Sequence, residues 1–373
     1  MSMWKKLQVR QKMVKTFRIG GLYLGEIESP VFPKIQSVNI KENTTVVFIL
    51  PNGLDPNILK KKLFVFKQVF GNNIELDGEI KKFILRIYHQ TIPTNMTYSY
   101  DSFHALLIPH RLGIICGKDK NGQYVTFDLA KQPHILIAGE TGSGKSTQLR
   151  SILTTLIKTK KPSELHFFLG DCKKSEFHIF KKVEHVQCVY SNARDIKKML
   201  LHIKEELDER SDLTEMFEVS HVDDLPAEHR RPYLIVCIDE FVMLRKDATI
   251  MDILTEVVAI GRTLGVYAIL SMQRPNAEVL DTTIRANLTV SMGFKLRDAV
   301  ESKIANTPDA HKIDISGRFV MNSDKLYEIQ APFLSMDKAK KLLNPFMVSK
   351  KPVKDVTEQP KVLTEKDVFN DVD

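Results

Sequence analysis

The chain has 373 residues, of which 43% are hydrophobic and 27% charged, and its 17 glycines and 16 prolines exclude a collagen-like or low-complexity protein. Its four cysteines form no C-x-x-C pair, which argues against a structural zinc site and a disulfide framework and favours a reducing cytoplasm. Six of the eight net positive charges fall within residues 1–18, so bulk charge alone is a weak indication of a polyanionic partner.

Residues 1–29 are predicted to form a basic N-terminal arm. Trp4, Leu7, Val14 and Phe17 recur at near-helical spacing among the basic side chains. A helix of this kind can lie on an anionic membrane surface, and it can equally pack on a neighbouring subunit or touch DNA. The sequence lacks a signal peptide and any apolar run of about 18 residues. We therefore expect a cytoplasmic protein, membrane-associated at most through this arm or a partner.

Residues 30–104 read as a small α/β module. Two alternating apolar runs, 45–50 and 82–87, flank a helical stretch from Pro56 to Phe70, and asparagine-glycine clusters mark the turns between them. The sequence pattern of this module does not indicate its function.

Residues 105–345 alternate between strand-like and helix-like runs. We predict strands near 134–138, 165–170, 233–238, 266–271 and 289–294. Repeated strand–helix–strand units predict a mostly parallel sheet that helices cover on both faces, in an α/β fold. Residues 346–373 carry mixed charge with few large apolar side chains, which is typical of a disordered tail.

The first of these strands is followed directly by a G-x-x-x-x-G-K-[ST] run and then by a helix. Backbone N–H groups of such a loop cradle phosphate oxygens, the lysine reaches the β- and γ-phosphates of ATP, and the serine hydroxyl ligates Mg²⁺. We expect the nucleotide to be bound by Gly139, Glu140, Thr141, Gly142, Ser143, Gly144, Lys145, Ser146 and Thr147.

Two acids end another buried strand, at Asp239 and Glu240. Because successive strand residues point to opposite sides, we expect Asp239 to face the metal and Glu240 to reach a different position. There Glu240 can orient or deprotonate the water that attacks the γ-phosphate. A small-molecule kinase does not require this second acid, so the pair favours hydrolysis.

Two polar residues border the next strand. Gln273 follows it and is predicted to sense the γ-phosphate. Arg262 precedes it, in a predicted helix-to-strand loop at the surface. From such a loop an arginine can stabilise transition-state charge in a neighbouring subunit.

These motifs resemble the FtsK/SpoIIIE-type DNA translocases and, within them, the coupling ATPases of Gram-positive conjugative elements. Pro133 to Ser146 is similar to that family's phosphate loop with its strand, and Ile238 to Phe241 is similar to its metal strand. Asp171-Cys172-Lys173 with Glu176 resembles its D-x-K-x-x-E motif, and Gly261 to Pro275 its sensor region. The resemblance covers roughly residues 105–330, with a looser likeness over 30–100.

The resemblance implies a RecA-like P-loop motor that assembles as a ring, usually a hexamer, and hydrolyses ATP while threading double-stranded DNA. It implies catalytic roles for Lys145, Glu240 and Gln273, with Arg262 as the finger acting in trans. Basic residues in matching places would contact DNA, namely Arg274, Arg285 and Lys303.

The expected role is transfer or maintenance of a mobile element. Two alternatives stay open. One is a conjugation adaptor that docks a relaxase complex on a secretion channel with little processive motion. The other is a secretion-type ATPase that does not act on DNA.

Overall fold

The computed structural model describes residues 3–26, 28–41, 43–89, 91–280 and 282–348. They form a four-stranded sheet and a ten-stranded sheet. The first sheet has a hydrophobic core of its own, and the second is covered by an apolar core on each face. Most of the predicted tail, residues 349–373, lies outside the described residues.

The small sheet is antiparallel, with strand order β1-β2-β4-β3. Its strands are β1 (Lys34–Ile40), β2 (Thr44–Ile49), β3 (Ile74–Gly78) and β4 (Lys82–Ile87). Instead of one helix from Pro56 to Phe70, the structure has α2 (Asn57–Lys61) and α3 (Leu63–Phe70). The break falls at Lys62, where the backbone leaves helical geometry at ψ 12°.

The predicted N-terminal arm contains helix α1 (Met3–Gly20), and its second half packs into the small module. Met13 and Phe17 are fully buried there, and the ring of Phe17 lies 5.3 Å from that of Phe48. The first two turns behave differently, because every side chain from residue 3 to residue 8 is exposed. The arm is thus an ordered helix that is anchored at one end.

The large sheet has the order β6-β5-β14-β13-β12-β7-β11-β10-β8-β9. The six strands from β12 to β9 run parallel. They are β7 (Ile135–Ala138), β8 (Leu165–Asp171), β9 (Val186–Tyr190), β10 (Tyr233–Asp239), β11 (Val266–Met272) and β12 (Val290–Gly293). The predicted α/β fold with a mostly parallel sheet is confirmed.

Four antiparallel strands, which the sequence pattern does not predict, extend this sheet. They are β5 (Gly113–Asp119), β6 (Tyr124–Asp128), β13 (Arg318–Asn322) and β14 (Leu326–Gln330). Ahead of β5, Tyr98 and Phe103 are buried in a core of the large sheet, so residues before position 105 also pack on this sheet.

Helices cover both faces of the large sheet, as buried parallel strands require. One face packs α5 (Lys145–Thr159) and α10 (Met336–Leu343), and the other packs α6 (Ala193–Met216) and α7 (Ala248–Leu264). The remaining helices are short: α4 (His104–Leu107), α8 (Thr282–Asn287) and α9 (Ala299–Ile304). The carboxyl ends of β7, β11, β10 and β8 therefore meet at one edge of the sheet, which carries the candidate site.

Candidate functional site

The predicted phosphate loop, residues 139–146, joins β7 to the amino end of α5. Gly144 has φ 109°, and a Cβ atom there would lie 2.7 Å from the Cα of Gly317. A Cβ on Gly139 would lie 2.6 Å from the Cβ of Phe294. Only glycine fits these two positions, for conformational and steric reasons respectively.

Two further contacts brace the loop from the antiparallel half of the sheet. The N–H of Gly317 donates to the carbonyl of Ser143 at 2.8 Å, and the hydroxyl of Ser316 donates to the carbonyl of Gly142 at 3.1 Å. The carbonyls of Gly142 and Ser143 are thereby bonded within the protein, as are the N–H groups of Gly139, Glu140 and Ser143. The amino end of α5 is the part of this segment that is suited to face an anion.

Lys145, Asp239 and Ser271 form a buried triangle behind the loop. The Nζ of Lys145 lies 2.9 Å from Asp239 Oδ1 and 2.7 Å from Ser271 Oγ, and Ser271 donates to the same Oδ1 at 2.6 Å. Lys145 and Asp239 are 5% and 3% exposed, so water screens this ion pair weakly. The strand ends of β10 and β11 thus hold the lysine at the amino end of α5.

Glu240 lies beside this triangle rather than on the opposite side from Asp239. It has φ 58° in the left-handed region, because the chain turns sharply where β10 ends. Its Oε1 accepts the backbone N–H of Gln273 at 3.1 Å, and its Oε2 lies 2.9 Å from Lys173 Nζ and 4.0 Å from Lys145 Nζ. The carboxylate is therefore fixed between two cations and one peptide group.

A cavity of about 800 Å³ is lined by Lys145, Lys173 and Asp239, whereas Glu240 and Ser271 are not among its lining residues. Its volume lies within the usual range for small-molecule and cofactor sites. The structure brings most of the predicted nucleotide residues to its wall, together with Asp239 and Gln273: Glu140, Thr141, Gly142, Gly144, Lys145, Ser146 and Thr147.

Mg²⁺ fits the oxygen donors at this cavity. The hydroxyl of Ser146 and the carboxylate of Asp239 are hard ligands of the type that Mg²⁺ prefers, and both line the cavity. Within the described ranges, no group of three or more His, Cys, Asp or Glu side chains is arranged to hold a metal ion.

Arg262 is not brought to this cavity. It lies in the last turn of α7 and not in a loop, because the helix continues to Leu264 and is closed by Gly265 at φ 69°. Its exposed side chain sits before β11, whereas the cavity lies beyond the other end of that strand. Seven strand residues separate the two ends by about 20 Å.

The predicted DNA residues lie on three different elements. Arg274 is exposed directly after Gln273, Arg285 is half-buried in α8, and Lys303 is exposed in α9. Of the three, Arg274 is the one that directly follows a residue lining the cavity, Gln273.

Sequence reasoning missed Ser271 and gave Lys173 no role. Ser271 is a polar residue in the otherwise apolar β11, and that contrast could have singled it out. Lys173 is held by the turn after β8, where Asp171 accepts the N–H groups of Ser175, Glu176 and Phe177 at 3.2, 3.0 and 2.9 Å. Asp171 thus fixes the segment from which Lys173 reaches Glu240.

The cysteines beside the site have unreactive thiols. Burial, with help from the negative charge of Asp239, raises the pKa of Cys172 to about 12 and that of Cys237 well above its usual value. Both thiols therefore stay protonated at neutral pH.

Comparisons with known proteins agree with these motifs. The model of the FtsK/SpoIIIE family matches residues 107–229. The DNA translocase FtsK of Streptomyces avermitilis is 29% identical over 251 residues, which is 61% of this chain and 28% of that protein. The DNA translocase FtsK of Oceanobacillus iheyensis is 27% identical over 278 residues, with coverages of 69% and 35%. The matched region thus spans about a third of these relatives.

Solved structures show the same fold at low sequence identity. The pCW3 conjugation coupling protein TcpA has a TM-score of 0.61 at 21% identity, covering 90% of this chain and 98% of that one. EssC (ATPases 2 and 3) from Geobacillus thermodenitrificans has a TM-score of 0.61 at 18% identity, with coverages of 69% and 52%. None of the helices described here is long and apolar enough to span a bilayer. Over residues 107–229 the chain is therefore similar to the FtsK/SpoIIIE family, in the same region as the motifs described above.

Proposed function

We propose that this chain is an ATP hydrolase that drives translocation of double-stranded DNA as a ring-shaped motor. The single observation that carries the proposal is that Lys145 and Asp239 line one cavity beside the glycine loop, with the carboxylate of Glu240 4.0 Å from Lys145 Nζ. A triphosphate group and an attacking water need this combination of a cation, a metal-binding carboxylate and a second carboxylate.

The chain's own residues divide the hydrolytic work. The loop N–H groups and Lys145 hold the β- and γ-phosphates, while Ser146 and Asp239 would hold Mg²⁺, which, when bound, neutralises phosphate charge. Glu240 accepts a proton from the attacking water, since its carboxylate is already fixed beside the cavity. Gln273, whose N–H binds Glu240, senses the γ-phosphate and connects it to the segment that begins at Arg274.

The place of Arg262 supports the proposed ring. Arg262 precedes β11, and the cavity lies beyond the other end of this strand, which is about 20 Å long. A role in hydrolysis therefore requires the cavity of a neighbouring subunit, as in a closed ring such as a hexamer. Mixed assemblies of Arg262→Ala and Lys145→Ala subunits test this, because a trans finger predicts activity only at interfaces where an intact Arg262 meets an intact Lys145.

Double-stranded DNA is the proposed substrate of the ring. Repeating Arg274, Arg285 and Lys303 around a channel would concentrate positive charge from a body whose net charge outside residues 1–18 is small. Substituting Arg274 by alanine is then expected to weaken DNA binding uniformly across sequences and to lower its dependence on salt.

The biological setting is proposed to be transfer or maintenance of a mobile element, with a relaxase or secretion-channel proteins as partners. The fold similarity to a conjugation coupling protein over nearly the whole of both chains supports this setting. The exposed first turns of α1, with Lys5, Lys6 and Trp4, offer a peripheral contact to an anionic membrane surface.

The decisive experiment measures ATP hydrolysis with and without duplex DNA. A translocase is stimulated several-fold by duplex and displaces a triplex roadblock; an adaptor binds DNA without displacing the roadblock, and a secretion-type ATPase does not respond to DNA. Glu240→Gln should bind ATP and stop turnover, whereas Glu256→Gln on α7, which breaks the 2.6 Å ion pair with Lys204, serves as the matched control. Unchanged hydrolysis in Glu240→Gln would remove Glu240 from its proposed role.

A further inference from the structure

Helix α6 and strands β8, β9 and β10 enclose a cavity of about 630 Å³, which we name the α6 cavity. His166 and Leu234 line it, and they are register partners near the amino ends of β8 and β10. Asp239, by contrast, lies at the carboxyl end of β10 and lines the cavity beside the phosphate loop. No described residue lines both cavities, so the α6 cavity is separate from the proposed nucleotide site.

The floor of the α6 cavity is apolar. Phe168 of β8 and Cys188 of β9 are register partners on the sheet, and Met199 of α6 packs in the same core. Phe168, Met199 and Leu234 are all buried. A cavity of this volume with an apolar floor is suited to the apolar body of a small molecule.

One face of α6 forms the polar wall of the cavity. Side chains at four-residue intervals lie on successive turns of this face: Lys198, His202, Glu206 and Arg210. Arg210 is 1% exposed and donates to Glu206 at 3.0 Å and to the carbonyls of Pro232 and Leu264 at 2.8 and 3.0 Å. These bonds tie α6 to the start of β10 and the end of α7, so the wall is fixed before a ligand binds and little order has to be gained on binding.

Lys198 differs from the other two lysines in the middle of α6. Lys197 is paired with Asp247 at 2.9 Å, and Lys204 is paired with Glu256 at 2.6 Å. Lys198 is exposed and lines the α6 cavity, and among the residues that the structure describes no carboxylate oxygen lies within 4.0 Å of its Nζ. Its ammonium group is therefore available to an anion.

The two arginines of the cavity are already paired. Arg210 binds Glu206, and Arg231 lies 2.7 Å from Glu209 and 3.5 Å from Glu206. Their charges are thus compensated within the protein, and Lys198 supplies the positive charge that a ligand can use.

We propose that the α6 cavity binds a small molecule with a flat aromatic body and one acidic group. Aromatic rings of Phe168, Tyr190, His166 and His202 line the cavity, and the rings of Phe168 and His202 lie 5.8 Å apart. Such a lining favours a flat ring over a branched aliphatic group. The acidic group binds Lys198. This site goes beyond the proposed function, because it requires neither nucleotide nor DNA.

The test uses anilinonaphthalene sulfonate, a fluorescent probe that joins a flat aromatic body to one sulfonate, and its uncharged analogue phenylnaphthylamine. Both are titrated into the full chain without nucleotide, and both should bind saturably. Lys198→Met should weaken the sulfonate about fivefold, the upper range for an exposed ion pair, and change the uncharged probe by less than about twofold. Lys197→Met is the matched control, because it removes the same charge from the neighbouring residue, and it should change neither probe by more than about twofold.

A second variant tests the floor. Cys188→Phe places a ring in the cavity and should abolish binding of both probes, with circular dichroism showing that the variant is folded. If it does not fold, the two lysine variants still decide.

Each other result overturns the inference. Equal weakening of the sulfonate by Lys198→Met and Lys197→Met would mean that surface charge alone attracts it. Unchanged binding in folded Cys188→Phe would place the probes on another apolar surface, such as the exposed first turns of α1. Absence of saturable binding to the unaltered chain would show that the cavity takes no ligand of this class, and it would leave the proposed ATP hydrolysis untouched.

Discussion

The ion pair between Lys173 and Glu240 holds the proposed catalytic carboxylate, and removing it has a calculable cost. Their charged atoms lie 2.9 Å apart, which corresponds to about 6 kcal/mol of gross attraction at an effective dielectric of ~20. The Lys173 side chain is 35% exposed, so water screens part of this attraction, and desolvation of Glu240 offsets more of it. We expect a net coupling of about 1–2 kcal/mol.

A double-mutant cycle isolates that coupling. Lys173→Met removes the ammonium group and keeps most of the side-chain stem, and Glu240→Gln removes the carboxylate charge. Urea unfolding followed by circular dichroism should show that Lys173→Met costs about 1–2 kcal/mol more in the parent than in the Glu240→Gln background. Lys174→Met is the control, because the neighbouring lysine is also exposed and the change in charge is the same.

Equal costs in the two backgrounds would refute the reasoning. They would mean that Glu240 is held by the Gln273 N–H and by its own backbone, with Lys173 contributing nothing measurable. An equal effect of Lys174→Met would instead attribute the result to net charge.

Three further outcomes are expected. Gly144→Ala should abolish tight ATP binding in calorimetry, since φ 109° and the close approach of Gly317 leave no room for a methyl group; wild-type affinity would contradict this. Burial lowers the pKa of His134 to about 3. Because the unfolded chain binds this proton first, stability should fall by up to ~1.4 kcal/mol per pH unit as pH drops from about 6.5 towards 3. His134→Asn can still accept the Ala268 N–H and should flatten the pH dependence of urea unfolding; an unchanged slope would assign it to other groups. Phe17→Ala should destabilise the small module by about 3–5 kcal/mol in thermal unfolding, and a smaller loss would mean that α1 packs loosely.

The features that sequence could predict are those with a local signal. The glycine loop is followed by a helix, and β10 is apolar at nearly every position up to Asp239, so the strand end and its acids could be placed from the chain alone. The parallel strands and the family resemblance were also predicted from local sequence patterns, and both predictions are confirmed.

The features that sequence missed depend on contacts between distant segments or on backbone turns. Nothing in the order of residues links Thr97 to Phe333, because their pairing exists only after the sheet is complete. The direction of the Glu240 side chain depends on the left-handed backbone of Glu240 itself. The alternation of side chains along a strand does not predict such a turn. The sequence predicts a loop at Arg262, but α7 continues past it and ends only at Gly265, three residues further on.

Helix α1 is basic along its length and anchored by Met13 and Phe17, while the side chains of its first two turns are exposed. A force applied to residues 3–8 would be transmitted along the helix to the buried contact between Phe17 and Phe48. If a partner bound residues 3–8, the mechanical strength of that attachment would therefore depend on the packing of Phe17 against Phe48.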